Sequence, residues 1–176
     1  TEEDRATLLA FHGSLALHPL AAVSIIPSAR YDLYLEQARL AYGVRGILAI
    51  GGGVELVGGY SRSFRFPTFE ERFGLDTLLS SGLTAESIER HHLVEGGITW
   101  NPVSMVTVGV VGFHRTIFGP IAALRDPGGA RPYRFIQGGK ELLQGFDGSL
   151  SARAGVVFVE GRVSYLDQTG GEEAMA

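Results

Sequence analysis

The chain has 176 residues, a net charge of −4 with histidine neutral, 45% hydrophobic residues and no cysteine. Its length suggests one domain, its mild acidity marks no nucleic-acid surface, and its lack of cysteine excludes disulfides and thiolate metal sites. No apolar run reaches the roughly 18 residues of a membrane-spanning helix, and Thr1-Glu2-Glu3-Asp4-Arg5 lacks the basic-then-apolar layout of a signal peptide.

Glycine is 25 of 176 residues, about twice the average share, yet mean hydropathy is positive. Disordered glycine-rich chains are less apolar than this. Helical domains avoid so much glycine because each interior Gly costs about 1 kcal/mol against Ala. The combination describes β-proteins with crowded or small-residue faces, membrane barrels among them.

In chain order, eight strands are expected over residues 7–17, 22–33, 39–48, 54–65, 92–100, 105–117, 140–151 and 156–167. The evidence is a period of two. Val54, Leu56, Gly58 and Tyr60 share one face and Glu55, Val57, Gly59 and Ser61 the other. Likewise Val157, Val159, Gly161, Val163 and Tyr165 oppose Phe158, Glu160, Arg162, Ser164 and Leu166. Most segments exceed the five or so residues typical of soluble sheets and match the roughly 9–11 of a tilted membrane-barrel strand.

The connections alternate in length. Segments 17–22, 48–54, 100–105 and 151–156 are short and carry Pro, Asn or Gly suited to reversals; between them lie a shorter gap near 33–39 and two long ones, 66–91 and 118–139. Short turns on one side and long loops on the other are the outer-membrane barrel pattern. Within the first long loop, Thr84 followed by residues 85–90 has the capping residue of a short helical turn.

A further set of motifs resembles one family. Tyr60-Ser61-Arg62-Ser63-Phe64-Arg65-Phe66-Pro67-Thr68-Phe69-Glu70-Glu71 resembles the strand-end signature of TonB-dependent outer-membrane receptors. Leu83-Thr84-Ala85-Glu86-Ser87, Glu95-Gly96-Gly97, Gly112-Phe113-His114 with Ile117-Phe118-Gly119-Pro120-Ile121, Gly145-Phe146-Asp147 and Ser164-Tyr165-Leu166-Asp167 follow in the family's order. Ser63 and Ala85 depart from it, standing where the family has Gly and Pro.

The resemblance implies an all-β, antiparallel transmembrane β-barrel segment in the bacterial outer membrane. It implies a receptor for energy-dependent uptake of a ferric siderophore, cobalamin or glycan. The family barrel has about 22 strands, so the eight here would be an interior portion of its later half, without the plug domain. Expected partners are outer-membrane lipid and lipopolysaccharide, the remaining strands and plug, the TonB energy-coupling complex acting through the plug, and a small-molecule chelate or glycan. No cofactor, metal ligand set or catalytic residue is expected. The second reading is a small eight-stranded structural or adhesion barrel closing on itself, and a third is a soluble β-sandwich with its long loops at both ends.

Two groups of site residues are proposed from the sequence. Arg65, Pro67, Glu70 and Glu71 are expected to fasten the first long loop to the barrel rim: Pro67 ends strand pairing and the charged residues form ion pairs. Arg72, His91, His92, Arg125, Tyr133 and Arg134 are expected to face a ligand from the loops. Other chemistries lack their patterns. Gly51-Gly52-Gly53 is followed by Leu56 where a dinucleotide fingerprint needs glycine, no histidine pair has metal-site spacing, and no G-x-S-x-G occurs.

Overall fold

The computed structural model describes residues 8–34, 37–74, 79–80, 83–84, 86–129 and 131–170. In chain order these form β1 (Leu8–Ser14), β2 (Leu17–Leu20), β3 (Val23–Tyr34), β4 (Gln37–Gly51), β5 (Val54–Arg65), α1 (Phe69–Phe73), β6 (Leu79–Ser80), β7 (Glu89–Val103), β8 (Val106–Phe118), β9 (Ile121–Arg125), β10 (Tyr133–Gln137), β11 (Lys140–Ala154) and β12 (Val157–Gly170). One antiparallel sheet runs β1-β3-β4-β5-β7-β8-β11-β12, with β2 following β1 alongside β3. The eight expected segments are these eight rows. Among the described residues β1 pairs only with β3 and β12 only with β11, so the unjoined outer edges expected of a section of a larger barrel are what is found.

Each large strand pairs with the next in the chain, and register carries the period of two across the sheet. In an antiparallel ladder directly opposed residues point to one side. Val163 opposes Gly148, which opposes Val110, then Ile98, Leu56, Leu48 and Val23. That side is apolar and largely exposed, including Phe11 at 59%, Trp100 at 47% and Val157 at 59%. The opposite side carries Arg30, Arg45, Glu55, Glu95, Asp147, Ser149, Glu160 and Arg162 in register. Ser164 Oγ donates to Asp147 at 2.6 Å and Arg162 Nε to Glu160 at 2.7 Å there. Val157, Val159, Gly161, Val163 and Tyr165 thus share the apolar side, and Glu160 and Arg162 the polar one, as the alternation required.

The β1–β3, β4–β5, β7–β8 and β11–β12 connections lie at one end, and β3 is joined to β4 at the other across residues 35–36. At the β4–β5 turn Gly52 and Gly53 have φ of 60° and 77°. A Cβ on Gly53 would collide with the Asn101 carbonyl, because Asn101 N donates to the Gly53 carbonyl at 2.8 Å. That turn tolerates only glycine. At the other end the long loops form a second sheet, in which β10 pairs parallel to β6 and antiparallel to β9.

The small core sits at this loop end. Tyr34, Leu83, Ile88, Asp32 and Glu89 are buried, and Pro67 is enclosed entirely. No helix among the described residues is long and apolar enough to cross a membrane. Outside the loops, the sheet leaves its hydrophobic side chains on one face instead of packing them inside.

The helix lies elsewhere than expected. It is α1, started by Thr68, whose hydroxyl accepts from Glu71 N at 3.3 Å while Glu71 Oε2 accepts from Thr68 N at 2.7 Å. This capping box satisfies two orphan amides, and Gly74 closes the turn in the left-handed conformation. Thr84 instead closes a turn with Ser87, whose N donates to the Thr84 carbonyl at 3.1 Å. The residues beyond it are drawn into β7, which begins at Glu89 opposite Arg65.

Candidate functional site

The densest polar cluster stands at the loop end of β5 and β7. Arg65 and Glu89 are the last opposed pair of their ladder. Arg65 Nε donates to Glu89 Oε2 at 2.8 Å and Nη2 to Oε1 at 2.9 Å. Its Nη1 also reaches Glu71 Oε2 at 2.9 Å. One planar guanidinium thereby holds two carboxylates, a geometry lysine could not supply.

Glu89 carries the connection further. Its Oε1 accepts from Ile121 N, the first residue of β9, at 2.6 Å, and its Oε2 lies 3.3 Å from His91 Nε2. Arg65 therefore binds the first long loop through Glu71 and, through Glu89, the second. Gln137 Nε2 adds a cross-link, donating to the Ile88 carbonyl at 3.0 Å and the Gly119 carbonyl at 3.2 Å. Arg131 Nη1 donates to the Gly74 carbonyl at 2.5 Å, tying the second loop to the end of α1.

Arg65 and Glu89 lie beyond the apolar band of the sheet. Burial alone would raise the Glu89 carboxyl, but hydrogen bonds from Arg65, the Ile121 amide and His91, with the charge of Arg65, hold it below the ordinary carboxylate value. A depressed carboxylate contributes stability above its unfolded pKa and loses it as pH falls through the folded one. Acidification below the ordinary carboxylate range is therefore expected to loosen residues 121–125 and 68–74. Amide exchange there should quicken before exchange in the β7–β8 ladder does; simultaneous loss would argue against a local anchor.

Of the expected rim residues, Arg65, Pro67 and Glu71 are brought together. Glu70 is exposed, and among the described residues it takes part through its backbone carbonyl, which accepts from Gly74 N at 2.7 Å. Among the loop set, Arg72 lies on α1, with Nη1 3.4 Å from the Tyr34 hydroxyl and its guanidinium 4.8 Å from the Phe73 ring centre. Arg125, Tyr133 and Arg134 are exposed on the loop sheet, Tyr133 directly opposite Arg125.

His91 and His92 are corrected: they belong to the β7 wall and not to a loop. They face opposite sides. His91 approaches Glu89, whereas His92 stands on the apolar side with Nδ1 3.2 Å from the Tyr60 hydroxyl and its ring 5.4 Å from that of Phe118. Among the described residues no group of three or more His, Asp or Glu could hold a metal ion.

Sequence reasoning missed Glu89, because its partner is 24 residues away and the loop motif drew attention to Glu86. The signal was the polar register of β7: Glu89 and His91 extend, at intervals of two, the side that Glu95 and Thr99 define.

No family model matches the chain, and no curated protein matches it. Solved structures do. The siderophore receptor PirA from Pseudomonas aeruginosa superposes with a TM-score of 0.79 at 15% identity, over 93% of this chain and 35% of that one. The copper transporter OprC gives 0.72 at 14% identity, over 93% and 28%. The FrpB iron transporter from Neisseria meningitidis gives 0.64 at 15%, over 93% and 25%. The chain thus spans about a third or less of each, and its fold is that of a section of their barrel wall.

Proposed function

We propose that the chain is part of the barrel of a TonB-dependent outer-membrane receptor that takes up a scarce nutrient, such as a ferric siderophore, cobalamin or glycan. The observation that carries this reading is the two-sided sheet with four short connections at one end and two cross-linked long loops at the other. In hydrocarbon every strand edge must be paired, so the apolar side would face lipid once β1 and β12 meet the remaining strands. The polar side would face the lumen and the plug. The wall itself catalyses nothing; energy would come from the TonB complex through the plug.

Within this reading Arg65, Glu71, Glu89 and Pro67 anchor the loops, and Arg125, Tyr133, Arg134 and Arg72 present cationic and aromatic groups to the ligand. An anionic metal chelate suits such a surface better than a neutral glycan does. The structural neighbours, a siderophore receptor, an iron transporter and a copper transporter, support a metal-linked cargo. The alternative of a self-closing eight-stranded barrel would need a ladder between β1 and β12.

The test uses the complete protein that carries this chain, in cells limited for iron and supplied with ferric chelates one at a time. Uptake of at least one chelate should require the protein and stop when the proton-motive force is collapsed. Alanine at Arg125 and Arg134 together should weaken chelate binding by roughly tenfold, about 1.4 kcal/mol, with the barrel still folded. Uptake indifferent to the proton-motive force would overturn the reading.

A further inference from the structure

The ladder between β4 and β5 stops early. Its last opposed pair toward the loops is Tyr42 with Arg62, while β4 continues to Gln37 against β3 and β5 continues to Arg65 against β7. The sheet therefore forks. In the fork lies a cavity of about 380 Å³ whose lining includes Arg39, Arg62, Phe64, Arg90 and Glu86. Of its three arginines, Arg39 lies opposite Asp32 on the polar side of the sheet, and Glu86 is the one carboxylate residue of the lining.

None of the three arginines has a carboxylate within ion-pair distance among the described residues. Arg39 donates only to neutral acceptors, the Ala38 carbonyl at 3.0 Å and Gln37 Oε1 at 3.3 Å, and Arg90 lies 5.9 Å from the Phe118 ring centre. Arg62 and Arg90 belong to the apolar side by register, toward its loop end. There Phe64, Arg90, Phe118 and Lys140 oppose one another in turn, with Lys140 Nζ also 5.9 Å from the Phe118 ring centre. Cations alternating with aromatics along the edge of an apolar face have the chemistry of a membrane interface.

We propose that the fork between β4 and β5 binds the phosphate of a phosphorylated lipid head group in the outer leaflet, held by Arg62 and Arg90. The inference rests on the reading that the apolar side faces lipid. Arginine suits the role because its planar fork matches phosphate oxygens. The position suits a lipid source, since acyl chains lying along Tyr42, Val44 and Leu56 on the apolar side would deliver the head group to the fork. A soluble phosphate would gain nothing from those rows.

The complete protein in detergent would be examined by native mass spectrometry with three probes: bis-phosphorylated lipid A, dephosphorylated lipid A and inorganic phosphate. Substituting R62Q and R90Q together should weaken bis-phosphorylated lipid A binding by roughly thirtyfold, each cation near the surface contributing about fivefold. R162Q, on the polar side, should leave it unchanged. Should the double variant misfold, judged by heat-modifiable mobility, R62Q alone should still lower binding several-fold. Equal binding by variant and parent, or of lipid A with and without phosphate, would overturn the proposal, as would inorganic phosphate competing fully at similar concentration. Failure to partition into lipid vesicles would instead overturn the membrane reading beneath it.

Discussion

Replacing Arg65 by alanine is expected to release both long loops while the main sheet keeps its ladders. The substitution leaves Glu89, whose side chain is 9% exposed, and Glu71 without the cation that holds them. Removing one partner of a buried ion pair costs roughly 3–5 kcal/mol. Arg65 is 37% exposed, so water compensates in part and a loss of roughly 2–3 kcal/mol is expected. Because Glu71 belongs to α1 and Glu89 holds the Ile121 amide, amides at residues 68–74 and 121–125 should exchange faster together. Adding Glu89→Gln to Arg65→Ala should recover part of the loss by removing the stranded charge. Loops that keep their protection in Arg65→Ala would show that the anchor lies elsewhere.

Placing arginine at Val159 should destabilise the complete barrel, whereas arginine at the neighbouring Glu160 should not. Val159 is second in the row Val157, Val159, Gly161, Val163 and Tyr165, which Asp167 ends toward the loops. A charge facing lipid costs roughly 2–4 kcal/mol at the bilayer midplane and less near either boundary. The position of Val159 within the row places its cost nearer the lower figure, about 2 kcal/mol. Denaturant unfolding of the complete protein from lipid vesicles measures both variants. Equal responses at Val159 and Glu160 would mean that the two sides of β12 do not divide lipid from lumen.

The eight rows, their two faces and the asymmetry of their connections were legible in the sequence because each is a local property. Side chains alternate strictly along a strand, and each large strand pairs with its chain neighbour. A run such as Val157 to Tyr165 thus declares its face without reference to anything distant. Arg65, Pro67 and Glu71 were legible too, lying within seven residues of one strand end.

Other features were settled by contacts between distant segments. Thr84 begins a sequence with helical character, but Glu89 gains more by closing the ladder opposite Arg65, so the chain runs on as β7 and carries His91 and His92 into the wall. The Thr68 capping box was readable as such, since Thr68 and Glu71 have the required spacing; the charges of Glu70 and Glu71 invited an ion-pair reading, which holds only for Glu71. The double loop anchor through Glu89 and the arginine-lined fork between β4 and β5 have no local signature. Their residues come from strands and loops far apart in the chain. Alternation along one strand tells which way each side chain points; only the ladders decide which of them meet.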